Sequence, residues 1–551
     1  MGKKGTLKHE FPFGAEDHFR LIRGEVLRLK VQFVDGPVPD HTQVILSTNM
    51  GDTGDGSWQE IPFDQMERGV FELKAPLEAA GSFRGKIRYS FDGGRKWYRD
   101  RLPLFSFIVD PSGVSDVRLY TLIPNVSGTI ADWKEKLIDI KEMGFNTVHL
   151  LPITAMDESE SPYAARYLFR IDNSYKCPDS TLDIRGQFED FVEEAKTLDL
   201  RLCFDMVLNH VGITSELAQK CPHWIVFDEH EEDGFRRAGA HYGHDWVKWM
   251  DLARLNYDTP VYKDRRELWD YMTEYLLYWA NYANYTGGMV RLDNLHSSCE
   301  AFVEQALIRL RREYPDLIVF AELFTEHSNM VRLMKKYGIN LLLATPWGAK
   351  FAPYLRQHVT YIHEHWYSIN YFFPITTHDT GAPAEEFGSA ASTIPRYLIC
   401  MLYGTGSSGL VQGVEFGYPQ KVEFIGRFGR IQGEHRHDFR VLIGLINRLA
   451  ARFPMFSTGG NMRFVDQQHK SILGAMRLGG AQDGCDFLML ANLDIHQVQS
   501  IKIATDECFG AHTTHEMFDY LTEQTLPCSD STLNFDLEPC GIKIYRINHR
   551  G

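Results

Sequence analysis

Four short stretches of this 551-residue chain end apolar runs with charged or imidazole side chains. FDMVLNH (204–210) holds Asp205, Asn209 and His210; MVRLD (289–293) holds Arg291 and Asp293. IVFAE (318–322) ends in Glu322, and ITTHD (375–379) in His378 and Asp379. Charged groups are seldom buried unless paired, so each needs an ion-pair partner or a reacting ligand. Taken singly, any of them reads as a cap or a local ion pair. Brought together, they suit glycoside cleavage. One carboxylic acid protonates the departing oxygen and one carboxylate attacks or stabilises the oxocarbenium-like carbon, with retention at a separation of about 5 to 5.5 Å. Asp293 and Glu322, if carried by adjacent strands about 4.8 Å apart, reach opposite sides of one bond at that distance.

Such a set needs a scaffold that puts several strand ends on one rim. VRLYTLIP (117–124), NTVHLLP (146–152), RLCFDMVLNH (201–210), GGMVRLD (287–293), DLIVFAE (316–322), INLLLAT (339–345), YFFPITTHD (371–379) and SGLVQGVEFG (408–417) are eight near-continuous apolar runs. Helical spacings separate them, such as Trp133, Leu137 and Ile140 in IADWKEKLIDIKEMGF, and the amphipathic AFVEQALIRLRREY. Buried strands alternating with helices predict an α/β protein with a (β/α)8 TIM barrel, here over about 113–455. Catalytic groups in a barrel come from the C-terminal strand ends, and strands three, four, five and seven deliver the residues above. A long excursion, about 208–262, predicts an inserted subdomain after strand three. Residues 1–112 are short alternating runs, with Asp92-Gly93-Gly94 as a hairpin turn, and 456–551 return to that style; both predict flanking β-sandwiches.

A formal charge of −15 argues against nucleic acid and anionic membranes as partners, since both require a basic footprint. No apolar leader follows Met1 and no run of about 18 apolar residues occurs, so a soluble protein without a secretion signal is expected. Nine scattered cysteines without a CxxC pair signal neither zinc nor a disulfide framework and favour a cytoplasmic location.

In order and spacing, FDMVLNH, MVRLDNLH, IVFAELF and ITTHDT resemble the four short regions of the α-amylase family, glycoside hydrolase family 13. Within it, LYTLIPNVSGTIADWKEKLIDIKEMGFN, the SPY at 161–163, VRLDNLHSS and FAELFTEHSN look most like the 4-α-glucanotransferase half of glycogen debranching enzyme, over about 117–380. VRLDNLHS and FAELFT are also similar, more weakly, to the maltosyltransferase that uses maltose 1-phosphate. At 551 residues, no second, α-1,6-glucosidase half is expected. The resemblance implies Asp293 as nucleophile, Glu322 as acid/base and Asp379 as the third carboxylate, holding ring hydroxyls. It implies that Arg291 keeps Asp293 ionised and oriented, that Asp205 braces Arg291, and that His210 and His378 bind sugar hydroxyls. Tyr163 is the expected aromatic platform beneath that sugar.

An α-1,4-glucan or maltooligosaccharide is the partner so implied, and 4-α-glucanotransferase the activity, ahead of an α-amylase-type hydrolase and then a maltosyltransferase. A non-catalytic glycan-binding protein is the reading from another class, and the intact carboxylate set weighs against it. Asn209 occupies a position that binds structural calcium in many amylases, but no acidic cage in the excursion completes a site, so no cofactor or metal is expected. His223, Trp224, His241, Tyr242, His244, Trp246, Trp249 and Tyr257 form either a sugar-stacking cluster or the subdomain's own core. Trp58 and Trp97 read either as glycan contacts or, ahead of that, as part of the core of the first sandwich.

Overall fold

Apolar runs too short for helices, with no polar face, can only be strands buried on both sides. Eight form one parallel sheet: β1 (Val117–Leu122), β2 (Thr147–Leu150), β3 (Arg201–Met206), β4 (Met289–Leu292), β5 (Ile318–Ala321), β6 (Leu341–Leu343), β7 (Tyr371–Phe372) and β8 (Ser407–Val411). Only Arg201, at the start of β3, is not fully buried. Neighbours follow the order β7-β6-β5-β4-β3-β2-β1-β8. Phe373 N–H donates to Ser407 O at 2.9 Å and closes the ring between β7 and β8. The computed structural model describes residues 6–13, 17–34, 36, 38–51, 57–242, 245–431, 437–509, 515–528 and 531–548.

The two-residue period of a strand explains how this barrel carries chemistry on an apolar base. Leu119, Cys203, Met289 and Phe320 pack together inside the barrel. Two positions further on, the same faces present Thr121, Asp205, Arg291 and Glu322. Gly288 admits β4 beside β3, because a Cβ there would strike the Leu202 carbonyl oxygen. Helices cover the outside. In α1 (Ile130–Glu142), Thr129 and Asp132 form a capping box, and Ile130, Trp133, Leu137 and Ile140 face the core as their spacing predicts.

Strand β7 is shorter than its apolar run. Pro374 lacks an N–H for the ladder, so His378 and Asp379 stand on the loop beyond Phe372. After β3, strands His210–Gly212, Arg237–Tyr242 and Asp245–Arg254 build a small antiparallel sheet within the expected excursion. A second insertion escaped the sequence reading: a hairpin after β2, Thr154–Met156 with Ala165–Ile171, whose tip carries Tyr163.

In the N-terminal part, two sheets enclose a core that includes Phe19, Leu29, Phe71 and Phe107. Near Asp92 the paired strands resume only at Tyr98, so the connection is a longer loop in which Asp92 accepts from Lys96 N–H at 2.8 Å. Trp58 and Trp97 are not in that core. Trp58 is 42% exposed with Lys86 Nζ 5.1 Å from its ring, and Trp97 is half-buried beneath Arg88 at 5.4 Å. The solvent face of the central strand is basic, so the indoles pair with its cations instead of entering the core. C-terminal residues form a six-stranded sheet and a two-stranded ladder around Ile472, Leu488, Ile503 and Leu537. No described helix is long and apolar enough to cross a membrane, and all nine cysteines are free thiols.

Candidate active site

Asp205 of β3 and Arg291 of β4 are register partners. Both are buried, and Arg291 Nη1 donates to Asp205 Oδ1 at 2.8 Å and Oδ2 at 2.6 Å. The arginine that looks out of place in an apolar run therefore has its anion one strand away. Its Nη1 also reaches Asp293 Oδ1 at 3.1 Å, and its Nη2 lies 3.0 Å from Glu322 Oε2. Register carries the pair onward, since Leu292 faces Ala321 and the next residues are Asp293 and Glu322. Asn294, just past Asp293, takes a left-handed backbone (φ 44°) and donates its N–H to Glu322 Oε2 at 3.0 Å. Asparagine tolerates that conformation better than most residues.

One guanidinium serves three carboxylates, and its effect is uneven. Burial pushes Asp205 up, but Arg291 and then His149 outweigh it and hold the carboxyl well below its ordinary value. Burial and the Glu322 charge push Asp293 well above its ordinary range, and Arg291 offsets only part of that. The resemblance implies that Arg291 keeps Asp293 ionised and oriented; Arg291 does contact Asp293, while Asp205 takes its nearer contacts. A pair with one acid and one base is what double displacement at a glycosidic carbon requires.

The other expected residues gather around this centre. Tyr163 OH lies 3.0 Å from Asp205 Oδ2 and 2.6 Å from His378 Nε2, and its ring stacks on that of His378 (5.8 Å, 9°). His378 Nε2 is also 3.1 Å from Asp379 Oδ2. Half of the Asp379 side chain is exposed to the cleft, yet crowding by protein raises its pKa, with Arg291 and Lys421 pulling the other way. His210 is buried with its ring facing the Tyr163 backbone, and neither ring nitrogen makes a well-formed hydrogen bond. Burial lowers its pKa to about 4 and that of His378 to about 3. Both are therefore neutral imidazoles, suited to exchanging hydrogen bonds with hydroxyls.

Asn209 Nδ2 donates to Ser297 Oγ at 2.6 Å, and no group of three or more His, Cys, Asp or Glu residues suited to a metal occurs among the described residues. The aromatic excursion divides. Trp224 and Tyr257 are buried in the main core; Trp246 is 47% exposed, and Trp249 is half-buried with its ring 6.0 Å from His210. His244 lies outside the described residues, as do the side chains of His241 and Tyr242. Sequence reasoning missed His149, on β2, whose Nε2 lies 3.2 Å from Asp205 Oδ2. Its signal was a lone histidine inside an apolar run.

Residues 113–230 match the family described as glycogen debranching enzyme, glucanotransferase domain. An alpha-1,4-glucan:maltose-1-phosphate maltosyltransferase of Rhodospirillum rubrum is 23% identical over 438 residues, 72% of this chain and 60% of that relative. The chain thus spans less than two thirds of that relative's length. An alpha-amylase from Lactobacillus plantarum superposes with a TM-score of 0.61 at 18% identity, over 79% of this chain and 99% of that one. A cyclomaltodextrinase does so at 0.64 and 14% identity, over 98% and 99%. These likenesses show the barrel fold of the α-amylases, and with the matched glucanotransferase segment they support placement in glycoside hydrolase family 13.

Proposed function

We propose that this protein is a retaining α-glucan-acting enzyme, a 4-α-glucanotransferase that cleaves α-1,4-glucosidic bonds through a covalent glycosyl-enzyme. The observation that carries the reading is the Asp293–Arg291–Glu322 cluster on adjacent strand ends, with Asp205 behind it. Asp293 attacks the anomeric carbon while Glu322 gives its proton to the departing oxygen, which leaves as the reducing-end fragment. Glu322, now a carboxylate, takes a proton from the 4-hydroxyl of an incoming glucan, whose oxygen displaces Asp293. Asp379 and the neutral His210 and His378 hold hydroxyls of the reacting sugar, and Tyr163 lies under it. Transfer and hydrolysis share these residues and differ in whether sugar or water meets the intermediate. The family of the 113–230 match supports transfer.

A second reading, maltosyl transfer from maltose 1-phosphate, is supported by the name of the Rhodospirillum rubrum relative, which aligns with 72% of this chain. One experiment separates the readings: incubation with maltopentaose alone and with maltose 1-phosphate plus maltopentaose, followed by separation of products. Longer and shorter oligomers from maltopentaose alone establish the glucanotransferase. Shorter ones only would make it a hydrolase, and extension that requires the phosphate donor would make it a maltosyltransferase.

A further inference from the structure

His149 has no role in the reaction as described, yet it is only 3% exposed and touches the centre of the site. Its Nε2 faces Asp205 Oδ2 at 3.2 Å, and its Nδ1 faces Thr121 Oγ1 of β1, also at 3.2 Å. Hydrogen positions follow from what each group can do. Asp205, ionised beside Arg291, only accepts. His149 Nε2 must therefore donate to it, while the Thr121 hydroxyl holds the other ring nitrogen. By the same rule Tyr163 OH donates to Asp205 and accepts from His378 Nε2–H. Oδ2 of Asp205 then receives three donors, from β2, from the hairpin after β2 and from β4, while Oδ1 receives Arg291 alone.

We propose that His149 is a positioning residue for glycosyl transfer: it fixes the Asp205 carboxylate, which fixes the Arg291 guanidinium that aims Asp293 and Glu322. A carboxylate turns easily about its terminal torsion, which has no sharp staggered wells. Arg291 alone can follow such a turn, because both contacts to Asp205 come from the single atom Nη1. The donor from β2, anchored in turn by Thr121 of β1, stops the rotation together with the Tyr163 hydroxyl. Loss of that anchor displaces the attacking groups more than it weakens sugar binding, because the hydroxyl contacts of His210, His378 and Asp379 remain. The inference rests on the glucan-acting function proposed above.

The test compares wild type, His149→Phe, His149→Gln and Thr121→Val on maltopentaose and on maltose 1-phosphate, with circular dichroism as the folding control. A displacement of about 1 Å at a reacting group costs on the order of 100-fold in rate, so His149→Phe should lose about 10- to 100-fold in kcat with KM within about twofold. His149→Gln keeps an N–H donor and should recover most of that loss. Histidine that merely fills space would give the same result with either replacement. An active wild type with unchanged kcat in His149→Phe, or with Gln falling as far as Phe, overturns the proposal. If His149→Phe does not fold, Thr121→Val decides: a severalfold fall in kcat supports the anchor and an unchanged kcat overturns it. A wild type inert on both donors would overturn the enzymatic function, and this inference with it.

Discussion

Asp205 and Asp293 contact the same nitrogen of Arg291, and they do so unequally, at 2.6 Å and 3.1 Å. The nearer carboxyl is held below its ordinary pKa and the farther one is pushed above it. Opposite shifts have opposite consequences for stability. Asp205, with a lowered folded value, contributes stability above its unfolded pKa that is lost as pH falls through the folded value. Asp293, with a raised folded value, makes the native state bind more protons than the unfolded chain, so stability falls as pH rises between its two values.

Removing each charge should therefore have contrary effects. Asp205→Asn leaves a buried guanidinium short of its main anion and should cost about 3–5 kcal/mol, read by chemical denaturation. Asp293→Asn removes the unfavourable charge and should raise Tm at neutral pH, while turnover falls at least about 10³-fold with the fold intact. Substantial residual turnover in purified Asp293→Asn would refute its assignment as nucleophile.

Glu322→Gln should fail in a different way. A substrate with a good leaving group needs little protonation, so α-glucosyl fluoride should still glycosylate the variant while maltooligosaccharides do not. Equal loss on the two substrates would remove Glu322 from the acid role.

Acidification should expose the buried histidines. The unfolded chain protonates His210 near 6.5, but the folded site resists until about 4. The unfolded state therefore binds more protons in that window, and stability drops as pH falls through it. At about 1.4 kcal/mol per pH unit, His210 alone accounts for roughly 3 kcal/mol. Tm measured against pH should show this fall, and His210→Gln should flatten it.

Trp246 and Trp249 should govern partition more than cleavage. Water is abundant, so transfer wins only if an acceptor is held by stacking, worth on the order of 1 kcal/mol per ring, against about 1.4 kcal/mol per tenfold in partition. Alanine at either position should raise hydrolysis relative to transfer on maltopentaose by about fivefold, with a smaller change in donor consumption. An unchanged product ratio in both variants would place the acceptor elsewhere.

The barrel and the carboxylates were legible because strand period and rim position are local properties. Arg291, Asp293 and Glu322 could be placed from their own runs, and Tyr163 from SPY alone. What could not be read was how one cation divides itself. That depends on Asp205 and Asp293 meeting a single nitrogen, which no spacing encodes. His149 escaped because it lies within the strand proper, two positions after Thr147, where a histidine looks like part of the core. The surface placement of Trp58 and Trp97 depended on Lys86 and Arg88 facing out from a neighbouring strand, a tertiary fact.

The phenol of Tyr163 joins Asp205 on β3 to His378 beyond β7, strands that stand on opposite sides of the ring. Tyr163 and His378 are 215 residues apart in the chain. That bridge cannot form until nearly every strand between them is in place, and contacts so distant in sequence are reached late. Recovery of catalysis during refolding should accordingly trail recovery of helix and strand signal, making turnover a timer for the moment the cylinder shuts.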